Sequence, residues 1–257
     1  MSTGFISVQG KQLEYQFFLP TQISNGAVIV LLHEGLGSIS LWRDFPQLLA
    51  DKTGHRVLAY SRYGYGNSEA ASGFGFSYMH DEGLHSLPEL LSKLDMNHPI
   101  ILGHSDGASI SLIAAGGSSI MPKGVIVMAP HVMVEQICFD AIDAASKAYL
   151  STDLKSKLGK YHADVDSAFL GWSGAWLSPE FKNWNIEEYL PKIQCPVLAI
   201  QGFEDEYGTM AQIDTIQQSC QSAPFVDTLK IQNCRHSPHK DHPEVILDAV
   251  QSFIKKL

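Results

Sequence analysis

The chain has 257 residues, 45% of them hydrophobic and 18% charged, which is ordinary for a folded globular protein and argues against disorder. A formal charge of −9 makes nucleic acid or an anionic membrane surface an unfavourable partner. No apolar run approaches the roughly 18 residues of a membrane span, and "MSTGFISVQGKQLEY" lacks the pattern of a signal peptide.

In chain order, "FISVQG" and "QLEYQFFLP" read as a pair of antiparallel strands. "AVIVLLH", "RVLAYS", "PIILGH" and "GVIVMAP" follow as near-continuous apolar runs, the pattern of strands buried on both faces of a parallel sheet. "PVLAIQG" and "DTLKIQNC" complete eight strand candidates. Helical patterns fall at roughly 40–53, 78–95, 106–116, 210–220 and 242–255, so strands and helices alternate as in an α/β fold. The alternation breaks once. Residues 131–190 carry helical periodicity and aromatics, including Trp172, Trp176 and Trp184, and read as a helical cap inserted after the sixth strand. The expected organisation is therefore a core of 1–130 and 191–257 with a cap at 131–190 over the sheet's carboxyl edge, where open α/β sheets bind ligands. The four cysteines (Cys138, Cys195, Cys220, Cys234) form no CxxC pair and no metal-like spacing, so free thiols, a cytoplasmic location and no metal site are expected.

"GHSDG", Gly103 to Gly107, lies between an apolar strand and a good helix start. That context gives G-x-S-x-G its meaning as a nucleophile elbow. A sharp turn lifts the Ser105 hydroxyl above the sheet, crowding favours glycine on either side, and the following helix offers free N–H groups. The other expectation is a small-residue turn that merely packs.

A serine hydroxyl needs a base. Of eleven histidines, the best placed is His236 in "CRHSPHKDHPE", first after the last strand, with His239 as runner-up. His33, His55, His80, His85, His98 and His162 read more simply as packing or surface residues, and His104 as a wall of the site. The base in turn needs an orienting carboxylate. "PVLAIQGFEDEYG" offers Glu204, Asp205 and Glu206 just beyond a strand end, and Asp205 is the candidate. Oxyanion donors are expected from the backbone N–H of Gly35 (Leu36 if the register slips) in "LLHEGLGS" and of Asp106.

Four motifs in order, "HEGLG", "SRYGYGNS", "GHSDG" and the pair "GFED" with "CRHSPHKDHP", make the chain resemble α/β-hydrolases of the esterase, lactonase and carbon–carbon-bond hydrolase group. The resemblance covers nearly the whole chain. It implies an eight-stranded α/β-hydrolase fold with Ser105 as nucleophile, Asp205 as acid and His236 as base. It also implies an oxyanion hole at Gly35 and Asp106, and no metal or organic cofactor. Three positions depart from the family pattern: Glu34 and Arg235 where glycine is usual, and Ser61 where aspartate is usual.

The expected function is a serine hydrolase that cleaves a small carboxylic ester, lactone or thioester through an acyl-enzyme. Carbon–carbon-bond hydrolysis, a slow-turnover ligand receptor and cofactor-free perhydrolysis are the alternatives. The expected partner is a small-molecule substrate, and the expected state a monomer or homodimer. Glu34, His104, Trp172 and Trp176 are candidate substrate-binding residues. Asp106 is expected either to favour its helix start from an exposed position or to turn its carboxylate into the pocket. Glu34 would repel a developing oxyanion, so it is expected to pair with an arginine, preferably Arg62.

Overall fold

The computed structural model describes residues 2–22, 24 and 26–257; residue 1 of the expected core, with 23 and 25, lies outside the described residues. The strands are β1 (Ser2–Val8), β2 (Lys11–Phe18), β3 (Ile29–Leu32), β4 (Val57–Tyr60), β5 (Ile100–His104), β6 (Gly124–Met128), β7 (Val197–Gly202) and β8 (Val226–Ile231). They form one eight-stranded sheet in the order β1-β2-β4-β3-β5-β6-β7-β8. The β1–β2 and β2–β4 pairings are antiparallel, and all later ones are parallel.

The continuous apolar strands are buried because helices cover both faces of the sheet. Val30, Leu32, Leu58, Ile101, Val125 and Val197 face one cluster; Ile29, Leu31, Val57, Leu102, Ile126 and Ile200 face the other. This is the two-residue alternation of a pleated strand with no solvent side. The helices are α1 (Phe45–Thr53), α2 (Tyr78–Asp81), α3 (Leu87–Lys93), α4 (Asp106–Gly117), α5 (Gln136–Ser151), α6 (Leu154–Leu158), α7 (Val165–Trp176), α8 (Ala211–Ser219), α9 (Pro238–Asp241) and α10 (Pro243–Ile254). Residues of α1 and α10 pack on one face; those of α3, α4 and α8 pack on the other.

Two expected helices are interrupted, each beside a proline. The stretch 40–53 splits into a 3₁₀ turn, Ile39–Trp42, and α1, which has Pro46 in its first turn, where a missing N–H costs nothing. The stretch 78–95 contains a π-helical segment, Glu82–Ser86, between α2 and α3. Pro88 follows it and cannot donate to the preceding turn, so the helix widens there.

Between β6 and β7 lie α5, α6, α7 and two 3₁₀ turns, Pro179–Asn183 and Glu187–Lys192. Their aromatics join the cluster on one face of the sheet: Tyr149 stacks on Phe169 with centroids 3.9 Å apart, and Trp184 on Phe181 at 5.5 Å. Among the described residues no helix is long and apolar enough to cross a membrane.

Candidate active site

Strand order reverses around β3, which lies between β4 and β5, and the site sits at the carboxyl ends of β3 and β5. Ser105 is the single residue between β5 and α4, at φ 53° and ψ −119°. A left-handed φ on a non-glycine residue costs about 1–3 kcal/mol, which the surroundings must impose. They leave no room for anything else: a Cβ on Gly103 would lie 2.2 Å from the Gly107 carbonyl oxygen. One on Gly107 would lie 2.1 Å from that of Leu32.

His236 approaches from the loop after β8. Its Nε2 is 2.9 Å from Ser105 Oγ, and its Nδ1 is 2.8 and 3.0 Å from the two carboxylate oxygens of Asp205. Asp205 also accepts from Gln201 Nε2 at 2.7 Å and from the Tyr207 backbone N–H at 2.8 Å. Burial alone would raise the Asp205 pKa; His236 and the Tyr207 N–H outweigh it and hold the carboxyl below its usual value. The neighbouring acids have other work. Glu204 accepts from the Cys234 backbone N–H at 2.9 Å, and Glu206 pairs with Arg235 at 2.8 Å.

The loop after β3 carries Glu34 and Gly35. The expected Glu34–Arg62 carboxylate pair does not form. Arg62 Nη2 instead donates to the backbone carbonyls of His33, at 3.3 Å, and Glu34, at 3.0 Å. His33 Nε2 accepts from the Arg62 backbone N–H, so its proton is on Nδ1 and goes to the Glu34 carbonyl at 2.7 Å. Burial, then the Arg62 charge, push the His33 pKa well down, consistent with that neutral form. Arg62 thus shapes the loop through its backbone. The Glu34 carboxylate lies 3.4 Å from Lys240 Nζ and 3.5 Å from His104 Nδ1. Burial would raise its pKa, but His104 and Lys240 together bring it well below the usual value. The aspartate missing at Ser61 is replaced from β2, since Ser61 Oγ donates to Glu14 at 2.9 Å and accepts from the Ile39 N–H at 3.1 Å.

Three further expectations are corrected. His104 is fully buried and does not border the cavity; its Nε2–H donates to the His236 carbonyl at 2.7 Å, because a strand-end side chain here points behind the turn. His239, the runner-up base, is buried against Trp42 and His104, with centroids 4.9 and 4.8 Å away, since α9 turns it under the loop. The Asp106 carboxylate is neither exposed nor free in the pocket. It accepts from Tyr78 Oη at 2.5 Å and lies 3.8 Å from Arg62 Nη2. Burial raises its pKa against the pull of Arg62.

Ser105 and His236 border a cavity of about 210 Å³, together with Glu34, Gly35, Asp106, Trp172 and Trp176. Trp184 does not reach it. His131, Cys138, Ile142 and Tyr207 also border it and were not foreseen from sequence. His131 could have been found: it is the first ionisable residue beyond β6, a strand-end position like that of the Glu204–Asp205 pair beyond β7. Burial lowers its pKa to about 4, so the ring is neutral at physiological pH.

A hydroxyl, an imidazole and a carboxylate in this chain of contacts can take a proton from the hydroxyl and return it to a leaving group. Over residues 29–249 the sequence matches the alpha/beta hydrolase family model, and the chain belongs to that family. The fold is shared with the enol-lactonase from Burkholderia xenovorans LB400 (TM-score 0.75, 18% identity, 98% of this chain and 100% of that one). It is also shared with CarC, a serine hydrolase involved in carbazole degradation (TM-score 0.75, 19% identity, 100% and 99% of the two chains). Proline iminopeptidase from Mycobacterium smegmatis is a third such structure (TM-score 0.72, 18% identity, 99% and 98%). No curated protein sequence matches the chain significantly.

Proposed function

We propose that this α/β hydrolase is a serine hydrolase that cleaves small carboxylic esters or lactones through a covalent acyl-enzyme. Ser105 Oγ attacks the carbonyl carbon while His236 Nε2 takes its proton, and Asp205 holds the imidazole in the required tautomer. The negative oxygen of the tetrahedral intermediate is received by the backbone N–H groups of Gly35 and Asp106. The C–O bond then breaks, with His236 returning the proton to the leaving alkoxide. Water, activated by the same imidazole, attacks the acyl-enzyme and regenerates Ser105. Residues 131–190 act as a cap whose Trp172 and Trp176 wall the acyl pocket.

The observation that carries this reading is the continuous run from Ser105 Oγ through His236 to Asp205, at 2.9 and 2.8 Å, bordering a cavity of about 210 Å³. Lactones are included because a cyclic ester follows the same steps with its leaving group tethered. A panel of aryl esters and lactones tests the reading. Ser105→Ala should lower turnover at least about a thousandfold with an unchanged circular dichroism spectrum. Activity surviving that substitution would overturn it.

A further inference from the structure

The cavity beside Ser105 holds two nitrogen groups that this reaction does not use. Trp172 borders it from α7, and its indole Nε1 has no hydrogen-bond acceptor among the described residues. Trp176, one turn on, gives its own Nε1–H to Tyr78 Oη at 2.9 Å. The Trp172 nitrogen lies against the β3 loop, only 2.1 Å from where a Cβ on Gly35 would stand. Glycine is therefore required there for the indole to reach the site.

The second group is His131, which borders the cavity from the end of β6. Its side chain makes no hydrogen bond among the described residues, and its Nδ1 is enclosed beside Gly208 without a partner. The ring packs edge-on against Trp176 at 5.2 Å and lies 5.9 Å from the His236 ring. A neutral imidazole has one proton. An enclosed N–H without an acceptor is rarer in proteins than an under-used acceptor, which places the proton on Nε2. The carboxylates that border the cavity are engaged elsewhere: Glu34 with Lys240, Asp106 with Tyr78, and Glu206 with Arg235.

We propose that Trp172 and His131 select an acyl group bearing a second, uncharged oxygen acceptor, a keto or ether oxygen. Two neutral donors in an aromatic pocket match such an oxygen. The bordering carboxylates disfavour an anion, and their existing partners leave little attraction for a cation. The inference rests on the serine-hydrolase reading for the reacting carbonyl, but the selectivity has its own readout.

Two measurements test it. In the wild type, kcat/KM for 4-nitrophenyl 4-oxopentanoate, corrected for its hydroxide reactivity, should exceed that for the similarly shaped 4-methylpentanoate ester about tenfold. Trp172→Phe and His131→Leu should each bring that ratio toward one. In Ser105→Ala protein, which does not consume ligand, the Trp172 indole N–H resonance should move downfield with 4-oxopentanamide and stay in place with 4-methylpentanamide or 5-aminopentanamide. Equal kcat/KM values with an unmoved resonance would overturn the proposal, as would a stronger response to the amine. If neither ester turns over but the resonance moves with the ketone alone, the hydrolase reading fails and the selectivity stands.

Discussion

Asp205 accepts from Gln201 and Tyr207 as well as from His236, so its position is held independently of the imidazole it orients. Asp205→Asn should therefore keep the fold but lower kcat on the order of 10⁴-fold by presenting His236 in the wrong tautomer. Glu204→Gln, which can still accept from the Cys234 N–H, should stay within about threefold of wild type. A stopped-flow ester assay of both variants distinguishes them, and the reverse order would move the acid role to Glu204. Arg62 is a different case, because it is buried and close to the buried Asp106 carboxylate. Removing it in Arg62→Met should cost about 3 kcal/mol by urea unfolding, through the charge left behind and the lost hold on two carbonyls. Arg62→Met combined with Asp106→Asn should recover part of that loss. Ser105, Asp205 and His236 were legible in the sequence because each lies just beyond a strand end, in the order that the resemblance implies, although strand-end position alone left Glu204 and Glu206 beside Asp205. The partner of Glu34 was not. Lys240 is 206 residues away, and its approach depends on how α9 turns, which no local pattern encodes.

At the scale of elements, Trp172 of α7 packs against Gly35 in the β3 loop, at the candidate oxyanion site. Gly35→Ala would drive a methyl group into the Trp172 indole and push the two apart. It should lower kcat/KM by about a hundredfold, of the order lost with one oxyanion donor, while the thermal midpoint moves by only a few degrees. Trp172→Val in the same chain should restore much of the rate by making space; no restoration would mean that Gly35 matters for some other reason. The strands were readable because both faces are buried, which leaves near-continuous apolar runs of unmistakable composition. The helix breaks at Ile39–Trp42 and Glu82–Ser86 were harder to read, because apolar spacing persists across them. Pro46 and Pro88 were the available signals. The helices between β6 and β7 were visible as a stretch without strands, but that Trp172 and Trp176 face the cavity depends on how α7 rotates against the sheet. That choice comes from tertiary packing.

For the whole molecule, buried histidines make stability depend on pH in a definite direction. His33, His131, His162 and His239 all have pKa values lowered by burial, with that of His131 at about 4. Below their ordinary value of 6.5 the unfolded chain binds protons that the folded one refuses, so stability falls as pH falls from there. For His131 alone the loss reaches about 2 kcal/mol by pH 5. The depressed carboxyls act lower. Glu34 and Asp205 contribute stability that is present above their ordinary values of 4.5 and 3.8 and is lost as pH falls through their folded values. Urea midpoints should thus decline from near pH 6.5 downward, more gently in His131→Leu, and a flat profile from pH 7 to 5 would contradict this. The central claim, that the folded molecule brings Ser105 to a carbonyl as an activated nucleophile, has a more direct test. Wild-type protein mixed with a slowly deacylated aryl ester and quenched in acid should gain the mass of one acyl group, and peptide mass spectrometry should place it on Ser105. Ser105→Ala should gain none. Turnover without a covalent adduct, or an adduct on another residue, would contradict the account.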